Sequence, residues 1–98
     1  MDLNQFRNSN EFDELLKKCI DQKKLSVSWI QKSFHMSFQK AKILYQEAKC
    51  YNDEVFFHNA LYELSFMEEP PTIARIMNTF GVSFLLASKI FDFYMENC

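Results

Sequence analysis

An internal repeat with a period of 46 residues constrains this chain more than any other feature of it. Ser33-Phe34-His35-Met36-Ser37-Phe38 aligns with Thr79-Phe80-Gly81-Val82-Ser83-Phe84, and the match runs on in both directions. Ser26 falls on Thr72, Ile30 on Ile76, Ala41 on Ala87, Leu44 on Ile90 and Tyr45 on Phe91. Upstream, Leu15 falls on Leu61 and Ile20 on Phe66. A fixed period of this size marks a duplicated supersecondary unit.

The periodicity within each copy is helical. After Asn10, taken as an N-cap, Phe12, Leu15, Leu16, Cys19 and Ile20 recur as one apolar stripe. Ser26 caps a short second helix with Val27, Ile30 and Phe34 on one face, His35-Met36 turns the chain, and Ser37 caps a third. There Ala41, Leu44, Tyr45 and Ala48 follow the i, i+3, i+4, i+7 template beside Phe38. In the second copy Phe56, Phe57, Ala60, Leu61 and Leu64 form the first helix, stopped at Glu68-Glu69-Pro70-Pro71. Thr72 caps the next, with Ile73, Ile76, Met77 and Phe80. Gly81-Val82 turns, and Ser83 caps the last, with Phe84, Ala87, Ile90 and Phe91. Gly81 takes the place of His35, and a left-handed turn residue accounts for both, since Gly adopts positive φ freely and His tolerates it. The prediction is an all-α fold: tandem trihelical, helix-turn-helix-like repeats packed into one small domain. Residues 1–9 form a flexible N-terminus, 10–50 the first unit and 51–98 the second.

Composition agrees. With one Gly and two Pro in 98 residues, long loops and turn-rich β architectures are excluded, while 48% hydrophobic residues supply a core. The three cysteines, Cys19, Cys50 and Cys98, are odd in number and form no CxxC pair. Without a secretory signal or an apolar run near 18 residues, they read as reduced thiols of a cytoplasmic protein with no membrane role. The net charge of −2 conceals a split: residues 1–50 carry nine Lys/Arg against six Asp/Glu, net +3, and residues 51–98 two against seven, net −5. Such asymmetry suggests that the halves face different partners.

The stretch from Phe12-Asp13-Glu14-Leu15-Leu16 through Lys49 resembles the winged-helix gamma domain of FtsK-type bacterial DNA translocases. The resemblance continues through Leu25-Ser26-Val27-Ser28-Trp29-Ile30-Gln31-Lys32-Ser33-Phe34, and Ser37-Phe38-Gln39-Lys40-Ala41 stands as a softened form of the family's Gly-Tyr-x-Arg-Ala. About 40 of the 98 residues are covered. The resemblance implies a bacterial or phage origin and double-stranded DNA recognition, with the third helix of the unit in the major groove. Two departures limit it. Cys50-Tyr51-Asn52-Asp53-Glu54 leads straight into Phe56-Phe57 and leaves no room for the family's β-hairpin wing, and no GxxxxGK[ST] motif occurs to serve a motor.

Under that expectation Gln39 suits adenine, and Lys40 suits guanine or phosphate. Lys42 and Gln46 lie further along, with Lys32 and Ser37 as phosphate contacts. In the second copy Gln39 becomes Leu85, Lys40 becomes Leu86, Lys42 becomes Ser88 and Lys32 becomes Asn78. Leucines cannot read base edges, so Leu85 and Leu86 are expected either in a fused core or at a protein interface, with a second copy or another protein. His35 and His58 have no ligand-spaced neighbours and no nucleophile motif occurs, so no enzyme activity, metal, cofactor or small-molecule substrate is expected. The alternative function is a protein-interaction module or phage-type inhibitor on the same fold, which binds no DNA.

Overall fold

The computed structural model describes residues 3–97, and every regular element among them is a helix. They are α1 (Leu3–Arg7), α2 (Asn10–Ile20), α3 (Val27–Phe34), α4 (Phe38–Tyr51), α5 (Glu54–Leu64), α6 (Ile73–Phe80) and α7 (Phe84–Asn97). The fold is all-α, as the periodicity predicts. The chain divides into two compact units: unit 1, Met1–Asn52, with α1 to α4, and unit 2, Asp53–Cys98, with α5 to α7. No single helix among the described residues is long and apolar enough to cross a membrane.

In unit 1 the stretch expected to be a loose N-terminus contains α1, anchored by Phe6. That ring is buried and meets Phe12 edge to face, with centroids 5.2 Å apart. Ser9, not Asn10, caps α2: its Oγ accepts the Phe12 N–H at 3.2 Å and donates to the Phe6 carbonyl at 2.7 Å, tying α1 to α2. Phe12, Leu16 and Cys19 of α2, Ile30 of α3 and Ala41, Leu44 and Ala48 of α4 are all buried, with α2 and α3 each packed on α4. Each Leu, Ile or Phe so buried contributes roughly 1.5–3 kcal/mol. Burial pushes the Cys19 thiol up to about 11, so it stays protonated and behaves as a small apolar side chain.

The link from α3 to α4 is three residues long. His35 is left-handed (φ 52°, ψ 54°), and its amide and that of Met36 both donate to the Gln31 carbonyl. These bonds satisfy carbonyls that the helix end leaves open. The α6–α7 link repeats this at Gly81 (φ 64°, ψ 42°), where Gly81 and Val82 donate to the Met77 carbonyl at 2.8 and 3.3 Å. The two helices of this corner meet at 114°. α6 and α7 begin and end 46 residues after α3 and α4, and the buried pairs Ile30/Ile76, Ala41/Ala87 and Leu44/Ile90 keep the same spacing.

The first helix of each unit breaks that register. Asp53 Oδ1 accepts the N–H groups of Val55 and Phe56 at 3.0 and 3.4 Å, and this cap starts α5 only 44 residues after α2. α5 accordingly buries Phe57, Ala60 and Leu64, whereas the residues 46 places beyond Phe12, Leu16 and Cys19 (His58, Tyr62 and Ser65) are exposed. Phe66, aligned with Ile20, lies beyond the end of α5, is 69% exposed and stacks edge-on against Tyr62. The helix thus ends at Leu64, before the Glu68–Pro71 stop.

Candidate nucleic-acid interface

α4 separates its residues cleanly by face. Ala41, Ile43, Leu44, Glu47 and Ala48 are buried on one side. At 3.6 residues per turn, Phe38, Lys42, Tyr45 and Lys49 form one row on the other side, flanked by Gln39 and Gln46. Of these only Tyr45 is half-buried, and the rest are exposed. Gln39, Lys42 and Gln46 therefore share one solvent face, as expected from the sequence.

Lys40 does not share it. Its position lies on the far side of the helix, and its Nζ sits 5.1 Å from the centroid of the Phe6 ring. The ammonium gains from the negative face of that ring, so Lys40 helps dock α1 and is turned away from the row it was expected to join. Ser37 is exposed, but its Oγ already accepts the Lys40 N–H at 3.3 Å as the cap of α4. Its hydroxyl hydrogen remains available to an outside acceptor. Lys32 is exposed in the last turn of α3.

Two members of the face escaped the sequence-based site. Phe38, expected to border the apolar stripe, is 57% exposed at the first position of α4. Lys49 is exposed, with its Nζ 6.0 Å above the Tyr45 ring. Their spacing from Lys42, four residues back and seven forward, is the signal that would have found them. Beside them Lys23, Leu25, Tyr45 and Lys49 border a shallow groove of about 260 Å³ that reaches down to Cys19.

The electrostatics of the region are one-sided. Between Gln22 and Asn52 the chain has a single carboxylate, Glu47, and that residue is buried at 6% exposure. Lys23, Lys24, Lys32, Lys42 and Lys49 over the same stretch are all exposed. The surface of α3, α4 and their approach therefore carries cations, amides and one aromatic ring, with no exposed carboxylate.

Compared with protein-family models, with curated proteins and with solved structures, the chain matches none. What this surface can do follows from its own chemistry. Glutamine amides donate and accept side by side, lysines neutralise phosphate, and an exposed ring offers apolar contact. Among the described residues no three His, Cys, Asp or Glu side chains are grouped to hold a metal ion.

The corresponding face of α7 is different. Phe84, equivalent to Phe38, is 53% exposed, but Ser88, Asp92 and Met95 stand where Lys42, Gln46 and Lys49 stand in α4. Leu86, expected either in a core or at a protein interface, is fully buried, which places it in the core of unit 2 and not at an interface. It occupies the same inward position as Lys40. In unit 1 the Phe6 ring from α1 receives a lysine there, whereas unit 2 begins with α5 and fills the position with leucine. Leu85 is half-buried.

Proposed function

We propose that the protein is a small, non-enzymatic double-stranded-DNA-binding protein, regulatory or DNA-organising, that uses unit 1 and enters the major groove with α4. The observation that carries this reading is the carboxylate-free exposed surface from Gln22 to Asn52, since the phosphate backbone rewards lysines and repels carboxylates. Gln39, Lys42 and Gln46 then face base edges, Phe38 is suited to a thymine methyl, and Lys32, Ser37 and Lys49 approach phosphates. Helix pairs that read DNA meet at roughly 90–120° across a short turn, a range that includes the 114° of the equivalent α6–α7 corner. The resemblance of residues 12–49 to the FtsK gamma domain points the same way, without its wing.

The test is fluorescence anisotropy with a random 20-base-pair duplex across a salt series. The expected result is binding that weakens steeply with salt. Lys32→Ala with Lys49→Ala should flatten the log–log slope by roughly 2, from about 0.9 per phosphate contact. Lys40→Ala should change it least. No binding at low salt would sink the reading and favour the alternative, a protein-interaction module that reads no DNA. That alternative draws on the apolar exposure of unit 2.

A further inference from the structure

Among the described residues seven large apolar side chains are exposed, and five of them (Val55, Tyr62, Phe66, Phe84 and Met95) belong to unit 2. Unit 2 is also the acidic half, with seven carboxylates against Arg75 and Lys89. One of the five, Val55, borders a groove of about 340 Å³ along α5, closed at one side by Phe80 at the end of α6. Val55, Phe56 and Ala60 line its floor, with Asp53 at one end and Glu63 at the other. Val55 is 67% exposed there.

Neither cation of unit 2 lines the groove. Arg75 is engaged by Glu69, Nη2 to Oε2 at 3.1 Å, and Lys89 lies with its Nζ 5.1 Å from the centre of the Phe57 ring. The groove therefore carries two exposed carboxylates and no cation, with Asp53 also capping α5 through its Oδ1. Asp53 and Glu63 are ten residues apart, about 15 Å along the helix. A guest of two to three helical turns spans that distance. No strand occurs among the described residues, so no sheet edge is on offer for an extended peptide, and the groove runs along a helix, as in helix-in-groove recognition.

We propose that this groove is a docking site for a short cationic amphipathic helix of another protein, its apolar residues on Val55, Phe56, Ala60 and Phe80 and its lysines or arginines against Asp53 and Glu63. The acidic charge of unit 2 selects a cationic guest and repels unit 2 of a second copy. Among the described residues the basic surface is that of unit 1, and unit 1 seated on unit 2 of the next molecule is a head-to-tail contact that closes into a ring or grows into a filament.

The proposal is tested by titrating the full-length 15N-labelled chain with a 14-residue leucine–lysine peptide patterned at helical spacing, following amide shifts. The expected result is saturable shifts confined to Val55–Glu63 and Phe80, and at least fivefold weaker binding in Glu63→Lys and in Val55→Ser. Both residues are exposed, and an unchanged thermal unfolding midpoint confirms that the variants fold. A scrambled peptide of the same composition that binds equally well would overturn the proposal. So would shifts centred on Glu68 and Glu69, or variants that bind like the parent. Shifts of the same amides on diluting the protein alone would assign the groove to a second copy and overturn it too. The DNA titration of Glu63→Lys and Val55→Ser reads unit 1 separately, so failure of one assignment leaves the other intact.

Discussion

In unit 1, α4 turns Gln39, Lys42, Gln46 and Lys49 to solvent, while at the same turns of α7 stand Leu85 and Ser88, both half-buried, and Asp92 and Met95, both exposed. Beneath those faces the two units share a frame: a capping hydroxyl, a left-handed residue three places before the next helix, and three inward apolar positions. That frame occupies few residues. Everything on the outer face is free to change without disturbing it, so one skeleton supports a basic polar surface and an acidic apolar one. The comparison teaches that charge and exposure, not helix order, separate the roles proposed for the two halves.

The sharpest way to break the comparison is to exchange the inward pair. Leu86→Lys places a charge in a fully buried site with no counterpart of Phe6 to receive it, and should cost about 3–5 kcal/mol in urea unfolding. Lys40→Leu, which only trades a cation–ring contact for apolar burial, should stay within about 1 kcal/mol. Equal costs would mean that the two positions are not alike in the way described.

The left-handed corner gives the next largest effect. Gly81→Ala should destabilise by about 1–2 kcal/mol, whereas His35→Gly should be neutral or gain a few tenths, since glycine relieves the strain but loosens the unfolded chain. Thermal unfolding of both variants checks this. Transplanting the outer face is milder still. Asp92→Gln with Met95→Lys, built on a Lys42→Ala, Lys49→Ala background, should leave stability within about 0.5 kcal/mol. It should restore part of the salt-dependent duplex binding, a slope change of roughly 1. No recovery would mean that α4 is not replaceable by α7 as a DNA-facing helix.

The smallest expected effect is a pH dependence specific to unit 1. The Cys19 thiol is raised to about 11 when folded, so above about 9 the unfolded chain loses its proton first and binds fewer protons than the folded one. The contribution is complete below the unfolded value and is lost as pH rises toward 11. Cys19→Ala should flatten that alkaline decline. At pH 8 the buried thiol should also resist iodoacetamide far better than the half-exposed Cys50.

The corners were legible because caps and a left-handed residue are local signals, carried by Ser26, Ser37, His35 and their partners 46 residues on. The core positions of α3, α4, α6 and α7 followed from helical spacing. Lys40 was misplaced because the residue that claims it, Phe6, belongs to a five-residue helix too short to show periodicity. The register of α5 was missed because Asp53 caps the helix two residues before the repeat would start it. Leu86 stayed open between core and interface because its counterpart, Lys40, was expected to face outward. In each case the missing information was a contact between elements, which no single stretch of sequence contains.

The corner at Gly81 has a consequence for length. Run straight, residues 73–97 would make an apolar helix of about 37 Å, more than the roughly 30 Å of a bilayer's hydrocarbon layer. Bent by 114°, the same residues become pieces of about 12 and 21 Å, neither of which reaches across. Three residues, Gly81 to Ser83, thereby divide a run of spanning length into two short helices that cover each other's apolar sides.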